Sequence, residues 1–300
     1  MQFKTKDTVT LLSTTFAAWN DKDPFRQSAV IAYYSIFSIP GLLVLIISIA
    51  GYFFGNDVVN KNILEQISST MGTETSIQIS QILIKSTESK STVWGSIIGV
   101  TILLVGSTAV FVELQKSLNL IWHVEVLQQK GILTILKARL FSFGLILAIA
   151  FLLLVSLVIS TGLSSMANWI KGYTDDSTIL FFNILNFLFS FGVISVLFAL
   201  MFKILPDAKI KWKHVWLGSI VTGILFTIGK TVLAFYFSTA NPASIYGVAG
   251  SIILILLWVS YSSMILFFGA EFTAAYAKFY SGTIAPTTIA KKESSNSKKI

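Results

Sequence analysis

The chain has 300 residues, of which 54% are hydrophobic and only 12% charged, and its mean hydropathy of +0.76 excludes an ordinary soluble domain with its ~25% of charged side chains. Two histidines and no cysteine exclude disulfides, thiolate chemistry and a histidine-built metal site, so no metal or organic cofactor is expected. The formal net charge of +8 reads as an orientation and lipid-headgroup signal, not as a nucleic-acid one.

Residues 1–25 hold Lys4, Lys6, Asp7, Asp21, Lys22 and Asp23 without an apolar run, so no signal peptide is expected and the first span serves as the targeting signal. The stretches 29–54, 93–112, 140–163, 179–202 and 243–270 carry no charged residue, and 215–237 carries only Lys230. Each meets the ~20 residues that a helix needs to cross ~30 Å of hydrocarbon. None alternates as a barrel strand would. The prediction is an all-α integral membrane protein, one domain over 1–280 with six transmembrane helices, the last placed at 246–270.

Between the first two spans, Val59, Ile63, Ile67 and Met71 recur every four residues, and Ile79, Ile82 and Leu83 repeat a helical stripe. This predicts two short amphipathic helices on the outer face within 55–92. After the second span, "ELQKSLNLIWHVE" at 113–125 puts Leu114, Leu118, Ile121 and Trp122 on one stripe. A helix lying along the cytoplasmic interface, anchored by Trp122, is expected there. Residues 281–300, rich in Ser, Thr and Lys, read as a disordered basic tail.

Orientation follows from lysine and arginine counting. Segments 1–28, 113–139, 203–214 and 271–300 hold seventeen, whereas the alternate segments 55–92, 164–178 and 238–242 hold four. Both termini are expected in the cytoplasm.

The strings "SAVIAYYSIFSIPGLLVLI", "ELQKSLNLIWHV", "LPDAKIKWKHVWLGSIVTGILFTIGK" and "YGVAGSIILILLWVSYSSMILFFGAEFTAAY" resemble the YihY/BrkB family of bacterial inner-membrane proteins, with the match spread over most of residues 25–280. Members carry the first-span proline one position later than Pro40. The resemblance implies six helices, a cytoplasmic N-terminus and an inner-membrane location. It implies no settled activity; transport of lipids or glycolipids is the one suspected. An old assignment of the family as a tRNA-processing ribonuclease finds no support in these residues. Metal-dependent cleavage of phosphodiesters needs clustered carboxylates or histidines. The cytoplasmic segments offer Glu113, Glu125, Asp207 and scattered aspartates near the N-terminus. Neither an enzyme nor a nucleic-acid partner is expected.

Lys230 is the sharpest candidate for function. "GILFTIGKTVLAFYF" at 223–237 ends its glycine-rich part in a G-K-T triplet, but Gly223 and Gly229 are separated by five residues where a phosphate loop needs four. A charge within a span costs about 2.5–3.5 kcal/mol, and so faces protein or water. Ser219, Gly223 and Thr227 form a small-residue row with Lys230 on nearly the same face, which predicts an inward-facing amine at a cavity. Snorkelling of the long stem to the outer interface is the plainer alternative. Pro40 would free the carbonyl of Ile36 as a partner for Lys230, or would merely kink the helix. Glu271 and Glu113, at one membrane level with Lys116 and Lys203, could close a cytoplasmic gate of ion pairs, or be ordinary interfacial salt bridges. Asn119 and Trp122 read as packing and anchoring residues, Tyr246 and Gly247 as a turn and cap, and His123 and His214 as interfacial. The expected function is binding or movement of an amphiphilic or anionic substrate, with anionic membrane lipids as partners. The alternative is a non-transporting scaffold for envelope machinery. The oligomeric state is not legible in the sequence.

Overall fold

The computed structural model describes residues 5–38, 93–126, 176–240, 250–281 and 290–292, with single positions or pairs between 60 and 80 and at 155, 159 and 162. Among the described residues six helices run without interruption: α1 (Thr5–Asn20), α2 (24–38), α3 (Val93–Ile121), α4 (Asp176–Ile204), α5 (Trp212–Ala240) and α6 (Gly250–Ser281). Two three-residue strands, β1 (Val124–Val126) and β2 (Ala290–Lys292), pair antiparallel, with Glu125 opposite Lys291. Local chemistry sets the breaks. α1 ends in a turn at 21–23 with Asp23 in the left-handed region, and Pro24 opens α2, where its missing N–H costs nothing. His123 takes the left-handed conformation where α3 gives way to β1. Pro206, just past α4, cannot continue a helix.

Three helices among the described residues are long and apolar enough to cross a membrane: Leu180–Ile204, Trp212–Phe237 and Ile252–Tyr280. They coincide with three of the six predicted spans. Most of the 140–163 span, of 29–54 and of 55–92 lies outside the described residues. The described positions within 55–92 are helical, and Ser76 Oγ donates to the carbonyl of Leu64 at 2.8 Å, joining two parts of that segment.

On α5 the outward side is apolar and several polar side chains turn inward. On α5, Ile220, Ile224, Ile228 and Val232 form an exposed line, with Ile228 57% and Val232 60% exposed, while Ser219 and Thr222 are fully buried. Such a line suits acyl chains and would be a liability in water. The buried hydroxyls bond their own helix: Thr222 Oγ1 donates to the Gly218 carbonyl at 2.6 Å and Thr273 Oγ1 to that of Gly269 at 2.7 Å.

Small residues set the packing of α5 on α6. A methyl group on Gly218 would overlap Thr273, one on Gly269 would overlap Thr222, and one on Gly229 would overlap the phenol of Tyr261. As α5 ascends from 218 to 229, its partner on α6 descends from 273 to 261, so the two helices are antiparallel and closely approached. α4 packs on a neighbouring face of α5, where Gly223 sits beside Ser195 and Phe191. α1 and α2 both follow α6, through Trp19 with Phe268 and through Ser28 with Ser260.

Two expectations change here. The segment 113–121 is the continuation of α3, and Leu114, Leu118, Ile121 and Trp122 are buried in the main core with Phe198, Phe202, Val215 and Phe267 instead of lying along the interface. The change in charge at Glu113 marks no helix end, because a helix of 29 residues spans ~43 Å and outruns the bilayer core. Residues 290–292, placed in a disordered tail by composition, form β2.

Candidate functional site

At the end of the bundle where α3 and α4 finish and α5 begins, polar side chains form two separate links. The stripe that buries Leu118 and Ile121 leaves Gln115 and Asn119 one turn apart on the adjoining flank of α3. Asn119 Nδ2 donates to Asp207 Oδ2 at 2.9 Å, and the Asp207 backbone N–H donates back to Asn119 Oδ1 at 2.8 Å. Gln115 Nε2 donates to the same carboxylate oxygen at 3.1 Å. These bonds tie the α4–α5 connection to α3.

A second link crosses from α1 to α6. Lys22 Nζ forms an ion pair with Glu271 Oε1 and also donates to the Ile121 carbonyl at 3.4 Å, so one ammonium joins the ends of α1 and α3 to α6. Glu271 is 3% exposed. Gln27 Nε2 donates to the Lys22 carbonyl and Trp19 Nε1 to that of Met264, which fix the turn that presents Lys22.

The four residues expected to form one ion-pair gate take separate partners. Glu271 pairs with Lys22 and lies within α6, which runs on to Ser281, rather than at a helix end. Glu113 pairs within its own helix with exposed Lys116 at 3.5 Å. Lys203 donates to the Ile210 carbonyl and lies 5.7 Å from the ring centroid of Trp212. Asn119 is a hydrogen-bonding residue as well as a packing one, and Trp122 is a core residue. No pattern in the sequence singles out Lys22, Gln115 or Asp207 as site residues. Their one signal is position, since Gln115 and Asp207 fall inside two of the strings that carry the family resemblance.

Lys230 lies far from this cluster. It stands seven residues beyond Gly223, hence on nearly the same face of α5, the face that α4 packs against, and well round from the Ile220–Ile224–Ile228 line. Thr227 shares that side and bonds the Gly223 carbonyl at 2.8 Å. Among the described residues, the Lys230 ammonium has no hydrogen-bond or ion-pair partner, although it is half-buried. The buried Ser195 Oγ, on α4 beside Gly223, also has none there. Pro40, Tyr246 and Gly247 lie outside the described residues. Among the described residues no group of three His, Asp or Glu side chains is gathered to hold a metal.

A family model described as virulence factor BrkB matches residues 15–293, from the middle of α1 through β2 and thus across both clusters. The chain belongs to the BrkB family. A relative in Tolumonas auensis, named a UPF0761 membrane protein, is 25% identical over 87% of this chain and 83% of its own. A UPF0761 membrane protein of Saccharophagus degradans is 27% identical over 84% of this chain and 56% of its own. One of Verminephrobacter eiseniae is 26% identical over 64% of this chain, and the match spans 44% of the length of that relative. The chain thus covers about half the length of several BrkB relatives that it matches. No solved structure shows a significant match. The names of these BrkB relatives state a membrane protein and no reaction.

Proposed function

We propose that this membrane protein binds an anionic amphiphile, and moves it across the cytoplasmic membrane, through a polar seam between α4 and α5 that carries Lys230. The supporting observation is the half-buried Lys230 ammonium on the α4 side of a lipid-exposed helix, without a protein partner among the described residues. An intramembrane cation in that setting needs an anion, a carbonyl or water. Snorkelling is the weaker account, because Lys230 lies seven residues, or ~10 Å, short of Phe237, the last residue of the apolar run 215–237 in the sequence. The reading includes six spans with both termini in the cytoplasm. A bacterial inner-membrane location follows from the same reading.

The test compares Lys230→Met with Thr231→Ala after mild extraction, scoring anionic lipids retained by each protein by native mass spectrometry. Methionine keeps an apolar stem and deletes the charge. We expect Lys230→Met to melt with the parent and to lose anionic-lipid retention about tenfold, the size of one charge-assisted hydrogen bond, with Thr231→Ala unchanged. Equal retention by Lys230→Met would leave a scaffold role as the better reading.

A further inference from the structure

α1 divides into three sectors. Leu11 and Thr15 are buried against the bundle, Leu11 packing with Phe272 and Tyr276 of α6. Thr10, Ser13 and Thr14 form a polar, exposed sector. Between them, Val9, Leu12 and Phe16 recur at i, i+3 and i+7 and are 66%, 45% and 58% exposed. A helix that packs with one stripe and meets water with another has no use for a third apolar stripe unless something apolar covers it.

The structure also indicates what covers it. The Phe16 ring lies 5.7 Å from that of Trp19, and Trp19 lies 6.1 Å from Phe25 across the turn, so the stripe passes without a break onto α2. On α2 it continues through exposed Tyr33 and Phe37, 5.4 Å apart, within the uncharged stretch 29–54. The apolar surface of α1 is thus the extension of a surface that faces lipid. Charge does not draw it there, since Asp7, Asp21 and Asp23 nearly balance Lys4, Lys6, Lys22 and Arg26.

We propose that α1 is a lipid-contact helix: Val9, Leu12, Phe16 and Phe25 seat among acyl chains of the adjoining leaflet, Thr10 and Thr14 face water, and α6 holds the third side. The contact rests on apolar burial, so it does not depend on anionic lipid. It is independent of any role for Lys230.

The chain has no cysteine, so single labels can be placed without background. Val9→Cys, Leu12→Cys, Phe16→Cys, Thr10→Cys and Thr14→Cys, made in the full chain, carry an environment-sensitive fluorophore in purely phosphatidylcholine proteoliposomes. Aqueous iodide and doxyl-labelled lipid serve as quenchers. Any two folded variants from the apolar set suffice. We expect the apolar positions to be quenched several-fold more by doxyl lipid than by iodide, and Thr10 and Thr14 to show the reverse, at every lipid dilution. Three results would overturn the proposal. Iodide reaching Val9 and Phe16 as readily as Thr10 would place the stripe in water. Protection from iodide that disappears on dilution with lipid would assign it to a second copy. Protection seen in native membranes but not in proteoliposomes would assign it to another protein.

Discussion

At Asn119 and Asp207, two side chains separated by 88 positions satisfy each other so fully that neither can be changed alone without orphaning a buried group. Asn119→Ala strips the Asp207 backbone N–H and one bond to its carboxylate, leaving Gln115 as the remaining donor. We expect a loss of about 2–4 kcal/mol, measured as thermal unfolding in detergent. A melting point equal to the parent's would mean that the α4–α5 connection is held by its apolar contacts alone. Lys22 and Glu271 obey a different rule, because burying two charges costs desolvation that their attraction only offsets. Lys22→Met or Glu271→Leu alone should destabilise by about 3–5 kcal/mol, since each leaves its partner buried and uncompensated. The double variant Lys22→Met with Glu271→Leu should return close to parental stability. Additive losses in that cycle would show that the pair acts through separate contacts. Neither Lys22 nor Asp207 could be picked out by periodicity, because their partners lie 249 and 88 residues away. The sector that Lys230 occupies could be read, because it follows from the i+4 row of Ser219, Gly223 and Thr227 on its own helix.

On the scale of elements, α5 and α6 are held by exchange of small and branched residues: Gly218 of α5 faces Thr273 of α6, and Gly269 of α6 faces Thr222 of α5. Gly218→Ala drives a methyl into Thr273, and overpacking of this kind costs about 1–3 kcal/mol. Adding Thr273→Ala should recover much of that loss. A methyl added at Gly192 in α4 would meet nothing within 4 Å, so Gly192→Ala should be neutral or stabilising by up to ~1 kcal/mol through helix propensity. If melting curves rank Gly192→Ala below Gly218→Ala, close helix approach is not what sets the packing of α5 on α6. The positions of α4, α5 and α6 were legible because runs of bilayer length with at most one charge admit no other structure. Their ends were not. Charged residues mark where a helix leaves hydrocarbon, and α3 and α6 continue past that point to build the polar cluster, which is why 113–121 looked like a separate surface helix and Glu271 like a terminal residue.

At the scale of the whole molecule, the described residues bring the end of α1, the end of α3, the α4–α5 connection and β2 to one end of the bundle. Asn119 and Asp207 are joined there by hydrogen bonds and Lys22 and Glu271 by an ion pair, and β1 pairs with β2 just past α3. Residues near 125, 208 and 290 must therefore share one side of the membrane whatever that side is. Which side it is rests on the seventeen lysines and arginines in those segments against four in the alternate ones. Reporter fusions at 130, 208 and 290 should accordingly all report cytoplasm, and those at 75 and 170 the outside. The two halves of this expectation can fail separately. Agreement among 130, 208 and 290 on an external location would keep the bundle and reverse its orientation, against the pull of the charge asymmetry. Disagreement between 208 and 290 would instead contradict the packing, because the α4–α5 connection and β2 are tied to the same end of α3, one through Asn119 and the other through β1, and no crossing of the bilayer can separate them.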